Sequence, residues 1–510
     1  MTFTPPSLGL RWLRLGLLLL AGTFGRPEIS AAERPNVVVI LADDLGYGDV
    51  SALNPQSAWQ TPHLDRLARE GRVFTDAHSA SGVCTPSRYA LLTGRYSWRG
   101  RLKDNVLYGY DAPLIEPGRL TLATLFRQQG YTTAMFGKWH LGLTWAKRSE
   151  RKEDVDFSLP VSGGPTDHGF DEFFGLSASL DMPPYVWLEN QRVKTPPSGS
   201  TAGQSGPGMW RPGPLAPDFR HGDVEARLRD RAVEFIERQG RADPRQPFFL
   251  YLALASPHTP ILPSAEFAGR TGVGVYGDFV TEMDATVGAV LAALDRQRLA
   301  PDTLVIFTSD NGVSPSADLP ALRRHGHDSS AGFRGHKADL YEGGHRVPFL
   351  ARWPGHIPAG SSSAQLLGQV DLLATFAEIL GVALPPEAAE DSISMLTAFL
   401  GEERRPRSLV HHSIQGRFAI REGSWKLLLA PDSGGWSPGP KPPLHQFQLY
   451  DLAVDPGEQT NVVAQHPAVV QRLGRQLLVW MDAGRSTPGP FQPVSYERWP
   501  TVNWRVEFVP

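Results

Sequence analysis

The sequence predicts an α/β fold: a large mixed, mostly parallel sheet sandwiched by helices, plus a small C-terminal α+β domain with an antiparallel sheet. Four apolar runs predict strands, at residues 36–41, 132–136, 247–254 and 303–308. The first run is β-branched without polar alternation, which is typical of a strand buried on both faces of a parallel sheet. Amphipathic helical segments alternate with these runs, and that alternation indicates βαβ units.

The helices are predicted from caps and periodicity. Residues 61–70 begin with threonine and proline and are followed by Gly71, and residues 121–129 are followed by Gly130. Threonine and proline start helices, whereas glycine stops them. Before the fourth strand, one helical face is apolar; it comprises Val280, Met283, Val287, Val290, Leu291 and Leu294. A face of this kind packs against a sheet.

The chain divides near residue 400. We expect a large domain at 33–400 and an α+β subdomain at 401–510. In the latter, residues 424–430 and 446–451 predict a hairpin, and an amphipathic helix follows it. Residues 195–217 are rich in proline, glycine and serine, which predicts a long surface loop of the kind that often sets specificity near a ligand site.

Residues 1–32 have the pattern of a signal peptide. Arg11 and Arg14 precede an apolar run at 15–21, and Ser30-Ala31-Ala32 offers a small-residue cleavage site. The run is shorter than the roughly 20 residues that span a bilayer. We therefore expect an exported protein, periplasmic or secreted, without a stable membrane anchor.

Charge and cysteine content limit the partners and the covalent cross-links that the sequence allows. The 510 residues carry a formal net charge of −3, which gives no sign of nucleic-acid binding, so no nucleic-acid partner is expected. Cys84 is the one cysteine in the sequence. An internal disulfide is therefore impossible.

Each predicted strand ends in polar side chains. These are Asp43 and Asp44 after the first, Lys138 and His140 after the second, His258 after the third, and Asp310 and Asn311 after the fourth. The carboxyl ends of parallel strands share one edge of a sheet, where ligands bind. The carboxylates and the amide are hard oxygen donors, which favour Ca²⁺ or Mg²⁺ over zinc. The pattern predicts one shared site at that edge.

Cys84 begins the segment Cys84-Thr85-Pro86-Ser87-Arg88. Pro86 suits the first turn of a helix, so Cys84 is expected at a helix N-terminus, where the macrodipole favours negative charge. A lone cysteine is commonly a small buried hydrophobe. It can also be a thiolate nucleophile of the phosphatase type, although that class needs a longer spacing between cysteine and arginine.

A third interpretation comes from resemblance. Residues 84–88 followed by Leu92-Thr93-Gly94-Arg95 resemble the signature of the type I sulfatases, within the alkaline phosphatase-like superfamily. Further family segments are similar and in order; they are 130–142, 334–337 with 342–348, and 449–452 with 455–461. The resemblance covers nearly all of the expected mature chain. His336 and Ser392 stand where many family members have glycine.

The resemblance implies that a formylglycine-generating or sulfatase-maturing enzyme oxidises Cys84 to formylglycine. It implies a Ca²⁺ ion held by Asp43, Asp44, Asp310 and Asn311. The implied catalytic residues are Cys84, Arg88, Lys138, His140, His258 and Lys337, and those implied to bind substrate are Lys138, Ser179, His258 and Lys337. A hydroxyl of hydrated formylglycine would attack sulfur, His258 would protonate the leaving oxygen, and His140 would take a proton from the second hydroxyl.

The expected function is hydrolysis of sulfate monoesters, with an aryl sulfate or a sulfated carbohydrate as substrate. Two alternatives stay open: a phosphodiester or phosphonate monoester hydrolase of the same superfamily, and a non-catalytic sulfoglycan-binding protein. His325, His327 and the 195–217 loop are candidates for lining the leaving-group pocket.

Overall fold

The computed structural model describes residues 1–4, 34–242, 246–402, 406–440, 445–494 and 499–509. The predicted signal peptide, beyond its first four residues, lies outside these ranges.

The strands are β1 Asn36–Ala42, β2 Arg72–Phe74, β3 Ala77–His78, β4 Thr132–Lys138, β5 Glu172–Leu176, β6 Leu188–Glu189, β7 Arg192–Val193, β8 Gly199–Thr201, β9 Gly213–Leu215, β10 Phe248–Ala253, β11 Thr303–Ser309, β12 Phe349–Arg352, β13 Ser361–Ser363, β14 Leu367–Gly368, β15 Ser408–His412, β16 Phe418–Glu422, β17 Trp425–Leu428 and β18 Gln448–Asp451. The α-helices are α1 Pro62–Glu70, α2 Cys84–Thr93, α3 Leu122–Gln128, α4 Val224–Gly240, α5 Val275–Arg296, α6 Leu319–Arg324, α7 Glu342–His345, α8 Leu372–Ile379, α9 Leu396–Phe399 and α10 Pro467–Ala483.

The main sheet has ten strands in the order β13-β2-β12-β11-β1-β10-β4-β5-β6-β7. Its five central strands, β11 to β5, are parallel, and antiparallel pairs flank them on both sides. Every residue of β1 is buried, as the unbroken apolar run predicts. The structure confirms the predicted mixed, mostly parallel sheet.

Two groups of helices cover this sheet, α1, α4 and α5 in one and α2, α3 and α8 in the other. Phe249 of β10 stacks on Phe126 of α3 with ring centroids 4.4 Å apart. Its neighbour Phe248 packs edge-on against Phe235 of α4 at 5.5 Å. Successive strand residues point to opposite faces, so the two helix groups lie on opposite sides of the sheet.

The C-terminal region forms a four-stranded antiparallel sheet in the order β15-β16-β17-β18. The predicted hairpin is β17 paired with β18, in a register that places Leu427 opposite Leu449. Helix α10 packs on β16 and β17 and buries Leu473 and Leu477. The pattern did not predict β15 and β16, which are short and separated by a turn.

A buried network of charges joins the two sheets. Lys426 of β17 is fully buried and lies 3.0 Å from Glu342 and 2.8 Å from Glu458. Arg421 of β16 lies 2.7 Å from Asp76, which follows β2. Because ions leave water only at a high cost and are paired when buried, these ion pairs tie the four-stranded sheet to the segments around β2 and α7.

The 195–217 segment differs from the prediction of a long loop. It contains the two-stranded ribbon formed by β8 and β9, with Ser200 opposite Pro214. Both strands lie at the surface, where glycine and proline are tolerated. Among the residues that the structure describes, no helix is long and apolar enough to cross a membrane.

Candidate active site

The five parallel central strands end at one edge of the sheet and deliver the predicted polar residues there. Asp43 and Asp44 follow β1, Asp310 and Asn311 follow β11, His258 follows β10, Lys138 ends β4, and Ser179 follows β5. The strand β5 was not predicted, because its sequence EFFGL is too short to be distinctive. Ion pairs and hydrogen bonds link the acidic residues and Asn311 with Arg88, Lys138, Lys337, Ser179 and His258.

The acidic residues form one buried cluster. The Asp44 N–H donates to Asp310 Oδ1 at 3.2 Å, and Asn311 Nδ2 donates to Asp44 Oδ1 at 2.7 Å. Asp44 has a φ of 64°, a left-handed conformation that turns the chain directly after β1. Three carboxylates and one amide are thus packed together at the end of β1 and β11.

Two oxygens of this cluster are buried without a hydrogen-bond partner in the described parts of the chain, namely Asp43 Oδ1 and Asn311 Oδ1. Buried polar oxygens are almost always bonded, so each orphan needs an explanation. Both are hard donors, as Ca²⁺ and Mg²⁺ require. The residues present therefore fit a hard divalent cation.

Three cationic side chains surround the cluster. Arg88 lies 2.7 Å from Asp310, Lys138 lies 2.6 Å from Asp43, and Lys337 lies 2.7 Å from Asp44. Burial alone would raise the pKa of Asp43, but Lys138, His258 and Arg88 outweigh it and lower that pKa below its usual value. The carboxylate stays ionised, and at this edge of the sheet three cations are paired with three carboxyl groups.

Cys84 is the first residue of α2, as predicted, and is only 2% exposed. Burial raises the pKa of its thiol, and the nearby Lys138 and Lys337 offset this only in part. A neutral thiol is a poor nucleophile. Burial therefore disfavours the thiolate form of Cys84.

The tautomer of His140 is fixed by the backbone. Its Nε2 lies 2.7 Å from the Leu107 carbonyl, which can only accept, so Nε2 carries the proton and Nδ1 keeps a lone pair. Nδ1 is buried and has no hydrogen-bond partner among the described residues. Burial, with Lys138 and Arg88, lowers the pKa of His140 well below its usual value. The ring is therefore neutral, with an open lone pair on Nδ1.

Thr85 holds this arrangement together. Its hydroxyl donates to the His140 carbonyl at 3.1 Å and accepts from the Leu107 N–H at 3.2 Å. Thr85, the residue next to Cys84, thereby fixes the backbone of His140. It also fixes the backbone of Leu107, whose carbonyl orients the His140 ring.

Ser179 and His258 lie beside Lys138. Lys138 Nζ donates to Ser179 Oγ at 3.1 Å, and Ser179 Oγ lies 3.4 Å from both ring nitrogens of His258. His258 Nε2 is also 3.5 Å from Asp44. His258 is 8% exposed, and it lines the same cavity as Cys84.

A cavity of about 780 Å³ opens above these residues. Cys84, Ser179, His258 and Lys337 are among its lining residues, and so are Tyr108, Asp181, Arg211 and Trp436. Sequence reasoning missed the last four, although Asp181 lies two residues after Ser179 and Arg211 lies in the 195–217 segment.

The prediction that His325 and His327 line the pocket is wrong. Neither is among the cavity residues. His327 is buried, lies 2.8 Å from Asp49 and stacks on Trp59 with ring centroids 3.7 Å apart. These contacts hold the loop after β1, which is a structural role.

A larger groove of about 1020 Å³ lies where the subdomain meets the large domain. Its buried or half-buried arginines are already paired, with Arg346, Arg407 and Arg421 bonded to Glu342, Asp371 and Asp76. The groove contains none of the predicted site residues. The chemistry is therefore concentrated in the smaller cavity.

Two family models match the chain. The model described as Sulfatase matches residues 35–382, and the model described as N-sulphoglucosamine sulphohydrolase, C-terminal, matches residues 335–482. Together they span both sheets.

Individual relatives agree with the family models. An N-acetylgalactosamine-6-O-sulfatase of Bacteroides thetaiotaomicron is 33% identical over 487 residues, covering 88% of this chain and 93% of the relative. Arylsulfatase A of Homo sapiens is 35% identical over 515 residues, covering 93% of each chain. A solved Bacteroides thetaiotaomicron sulfatase, from work on glycosaminoglycan metabolism, has a TM-score of 0.76 and 31% identity, and the match covers 87% of this chain and 98% of that chain.

Proposed function

The chain belongs to the sulfatase family and is a sulfuric ester hydrolase, and from that premise we propose that it acts through formylglycine made from Cys84 and a Ca²⁺ ion held by Asp43, Asp44, Asp310 and Asn311. Its proposed substrates are sulfate monoesters, either sulfated carbohydrates or aryl sulfates. One observation carries the proposal: Cys84 lies at a helix N-terminus in the lining of the cavity, beside the carboxylates and cations of the sheet edge.

When present, formylglycine supplies a hydroxyl nucleophile from its hydrate, and a calcium ion lowers the free energy of its ionised form. The metal assignment is supported by the oxygen-only donor set and by the two orphaned oxygens of Asp43 and Asn311. A maturing enzyme that oxidises Cys84 is a required partner.

The cations of the chain bind the anionic group. Lys138 and Lys337 both act electrostatically on position 84, and Arg88 lies on the same helix one turn further along. They are fixed by Asp43, Asp44 and Asp310, so they are oriented before a sulfate group arrives. Such preorganised charge is a large source of catalytic power.

Two histidines move protons. His258 lines the cavity and can donate a proton to the departing oxygen. His140 is neutral, with its Nδ1 lone pair available, and can accept a proton next to position 84. Ser179 bridges His258 and Lys138, which couples the proton donor to the binding of sulfate.

The function is tested by parallel assays on 4-nitrophenyl sulfate and bis(4-nitrophenyl) phosphate. We expect the kcat/KM for the sulfate ester to exceed that for the phosphodiester. A preference for the phosphodiester would establish the alternative hydrolase, and absence of turnover on either substrate by protein with formylglycine at position 84 would contradict the proposal.

Replacing His258 by alanine should slow the hydrolysis of sugar sulfates more than the hydrolysis of 4-nitrophenyl sulfate. The leaving oxygen of a sugar is basic and needs a proton, whereas nitrophenolate leaves without one. General acids contribute about 10²- to 10⁴-fold, so a loss in that range is expected on the sugar sulfate. The measurement is kcat/KM on both substrates, with the exposed His325→Ala as the control. Equal losses on both would remove His258 from the acid role.

Calcium should stabilise the protein that has been stripped with a chelator. A ligand at 100 times its Kd adds about 2.7 kcal/mol to the free energy of unfolding. We expect CaCl₂ to raise the midpoint of thermal unfolding more than MgCl₂ does, and Asn311→Ala to lose most of the shift. The surface variant Asp302→Asn should keep it. If Ca²⁺ left the midpoint of the unsubstituted protein unchanged, the calcium assignment would be wrong.

Export is also part of the proposal. The signal-peptide pattern at 1–32 supports it, and the proposed mature protein begins near Glu33. N-terminal sequencing of protein recovered from the periplasm or medium tests this, and an uncleaved cytoplasmic chain would contradict it.

A further inference from the structure

One wall of the active-site cavity carries a carboxylate that is only partly used. Asp181 is 3% exposed and lines the cavity, and its Oδ1 has no hydrogen-bond partner among the residues described. Its other carboxylate oxygen, Oδ2, accepts from Arg211 Nη1. A buried, ionised oxygen without a partner at the wall of a cavity is suited to a ligand hydroxyl.

The pair is built into the backbone. The Arg211 N–H donates to the Asp181 carbonyl at 3.0 Å. Tyr185 Oη lies 2.9 Å from that carbonyl and 2.7 Å from the carbonyl of Arg211, so one buried hydroxyl bridges both residues. Arg211 is brought here by the segment between β8 and β9. The position of the pair is therefore set by the fold and not only by the attraction of two charges.

The carboxylate is ionised and close to the proposed proton donor. Burial would raise the pKa of Asp181, but His258, Arg211 and Lys138 outweigh it and lower that pKa below its usual value. Asp181 is two residues from Ser179, which lies 3.4 Å from the His258 ring. The pair thus lies on the side of the cavity where the leaving group departs.

Asp181 and Arg211 together offer an acceptor next to donors. Arg211 keeps a side chain that is 40% exposed, so guanidinium N–H groups remain open to the cavity. One hydroxyl of a neighbouring pair can donate to Asp181 Oδ1 while the other accepts from Arg211. A planar aryl leaving group has no such pair of hydroxyls, whereas a sugar ring does.

Two aromatic rings complete the wall. Tyr108 is 44% exposed, and the Arg211 guanidinium carbon lies 5.7 Å from its ring centroid. Trp436 is 51% exposed, and its backbone N–H is fixed by Asp339 at 2.8 Å. Both line the cavity. Large exposed rings beside a few placed polar groups are typical of a ligand-binding surface.

We propose that Asp181 and Arg211 form a subsite for two adjacent hydroxyls of the leaving group, and that the natural substrate is therefore a sulfated saccharide and not a simple aryl sulfate. This inference rests on the proposed function and makes its substrate class more specific.

The test compares Asp181→Asn and Arg211→Met with the unsubstituted enzyme. Substrates are 4-nitrophenyl sulfate and a panel of N-acetylgalactosamine 6-sulfate, glucosamine 6-sulfate and galactose 6-sulfate; the panel member with the highest kcat/KM is used for the variants. A hydrogen bond to a charged group is worth about 1.5–3 kcal/mol, so the ratio of kcat/KM for saccharide over aryl sulfate should fall about 10- to 100-fold in each variant.

Control variants distinguish a specific loss on saccharide sulfates from a loss of activity on all substrates. Arg148→Met removes an exposed arginine that lies 3.4 Å from Asp156, away from the cavity, and should keep the ratio. The double variant should lose less than the sum of the single losses expressed as free energies, because the two side chains act on one pair of hydroxyls. Circular dichroism and unfolding midpoints confirm that each variant is folded.

The outcomes are distinct. If the unsubstituted enzyme prefers 4-nitrophenyl sulfate to every saccharide in the panel, or if the variants lose equally on both substrate types, the subsite is overturned while the sulfatase assignment stands. If enzyme with formylglycine at position 84 turns over neither substrate type, the proposed function itself fails.

Discussion

Alanine at position 84 is expected to lower kcat for sulfate esters by at least ~10⁴-fold, as removal of a covalent nucleophile does in other hydrolases. Cys84 is the cavity residue at the N-terminus of α2, and the cations Lys138 and Lys337 act on it. The substitution removes one side-chain atom from the lining of an existing cavity, which costs little in stability, about 1 kcal/mol. The measurement is kcat on 4-nitrophenyl sulfate, with the unfolding midpoint as evidence that the fold is kept.

The state of residue 84 must be measured with the activity. Mass spectrometry of the peptide that contains it should show formylglycine in active protein. Cys84→Ser should not restore turnover, because serine offers one hydroxyl where a hydrated aldehyde offers two, and we expect it to react at most once. If fully unconverted Cys84 protein were as active as converted protein, formylglycine would be excluded and a thiolate would have to be reconsidered.

Lys426→Met is expected to lower the free energy of unfolding by about 3–5 kcal/mol, the usual cost of breaking a buried ion pair on one side. Methionine keeps the length of the side chain but leaves Glu342 and Glu458 facing each other without a cation. These two carboxylates lie 3.0 and 2.8 Å from Lys426. Urea unfolding measures the loss, and Lys152→Met, which removes a half-exposed pair with Asp111, should change little.

The loss should also depend on pH. Burial raises the pKa of Glu458 to about 7, and Lys426 opposes that rise. A carboxyl whose pKa is higher in the folded than in the unfolded state stabilises the folded protein at pH values below its unfolded pKa. That contribution is lost as the pH rises through the pKa of the folded state. Lys426 also helps to hold the pKa of Glu342 well below its usual value, so the pKa values of both carboxyls rise when Lys426 is removed. The destabilisation should therefore be larger at pH 8 than at pH 5; a loss that is the same at both would show that the charge of Lys426 is not what matters.

Much of the fold and site follows from local patterns. The runs that became β1, β4, β10 and β11 are long and apolar, and polar residues follow each of them within a few positions. Since parallel strands share an edge, these local patterns are enough to predict that Asp43, Lys138 and Asp310 lie together. The segment around Cys84 carried its own helix signal, with Pro86 in the first turn.

What the sequence could not predict depends on contacts between distant segments. Strand β5 has no distinctive pattern, and its place beside β4 is set by the sheet. Asp181 and Arg211 meet because Tyr185 ties their backbones together, and neither residue alone predicts the other. His327 has the composition of a site residue, yet its partner Asp49 lies 278 positions earlier and makes it structural.

The hydrogen bonds of the segment just before Cys84 bear on the order of events during synthesis. Ser81 Oγ and the Gly82 N–H donate to the carbonyl of His412 in β15, at 2.6 and 3.1 Å, and His412 lies 331 residues after Ser81. Until the ribosome has made β15, the Ser81 hydroxyl and the Gly82 N–H lack this native acceptor. The segment just before Cys84 therefore cannot yet form its native hydrogen bonds to β15. The proposed oxidation of Cys84 would therefore take place while the polypeptide is still growing or newly released, before the last strands dock.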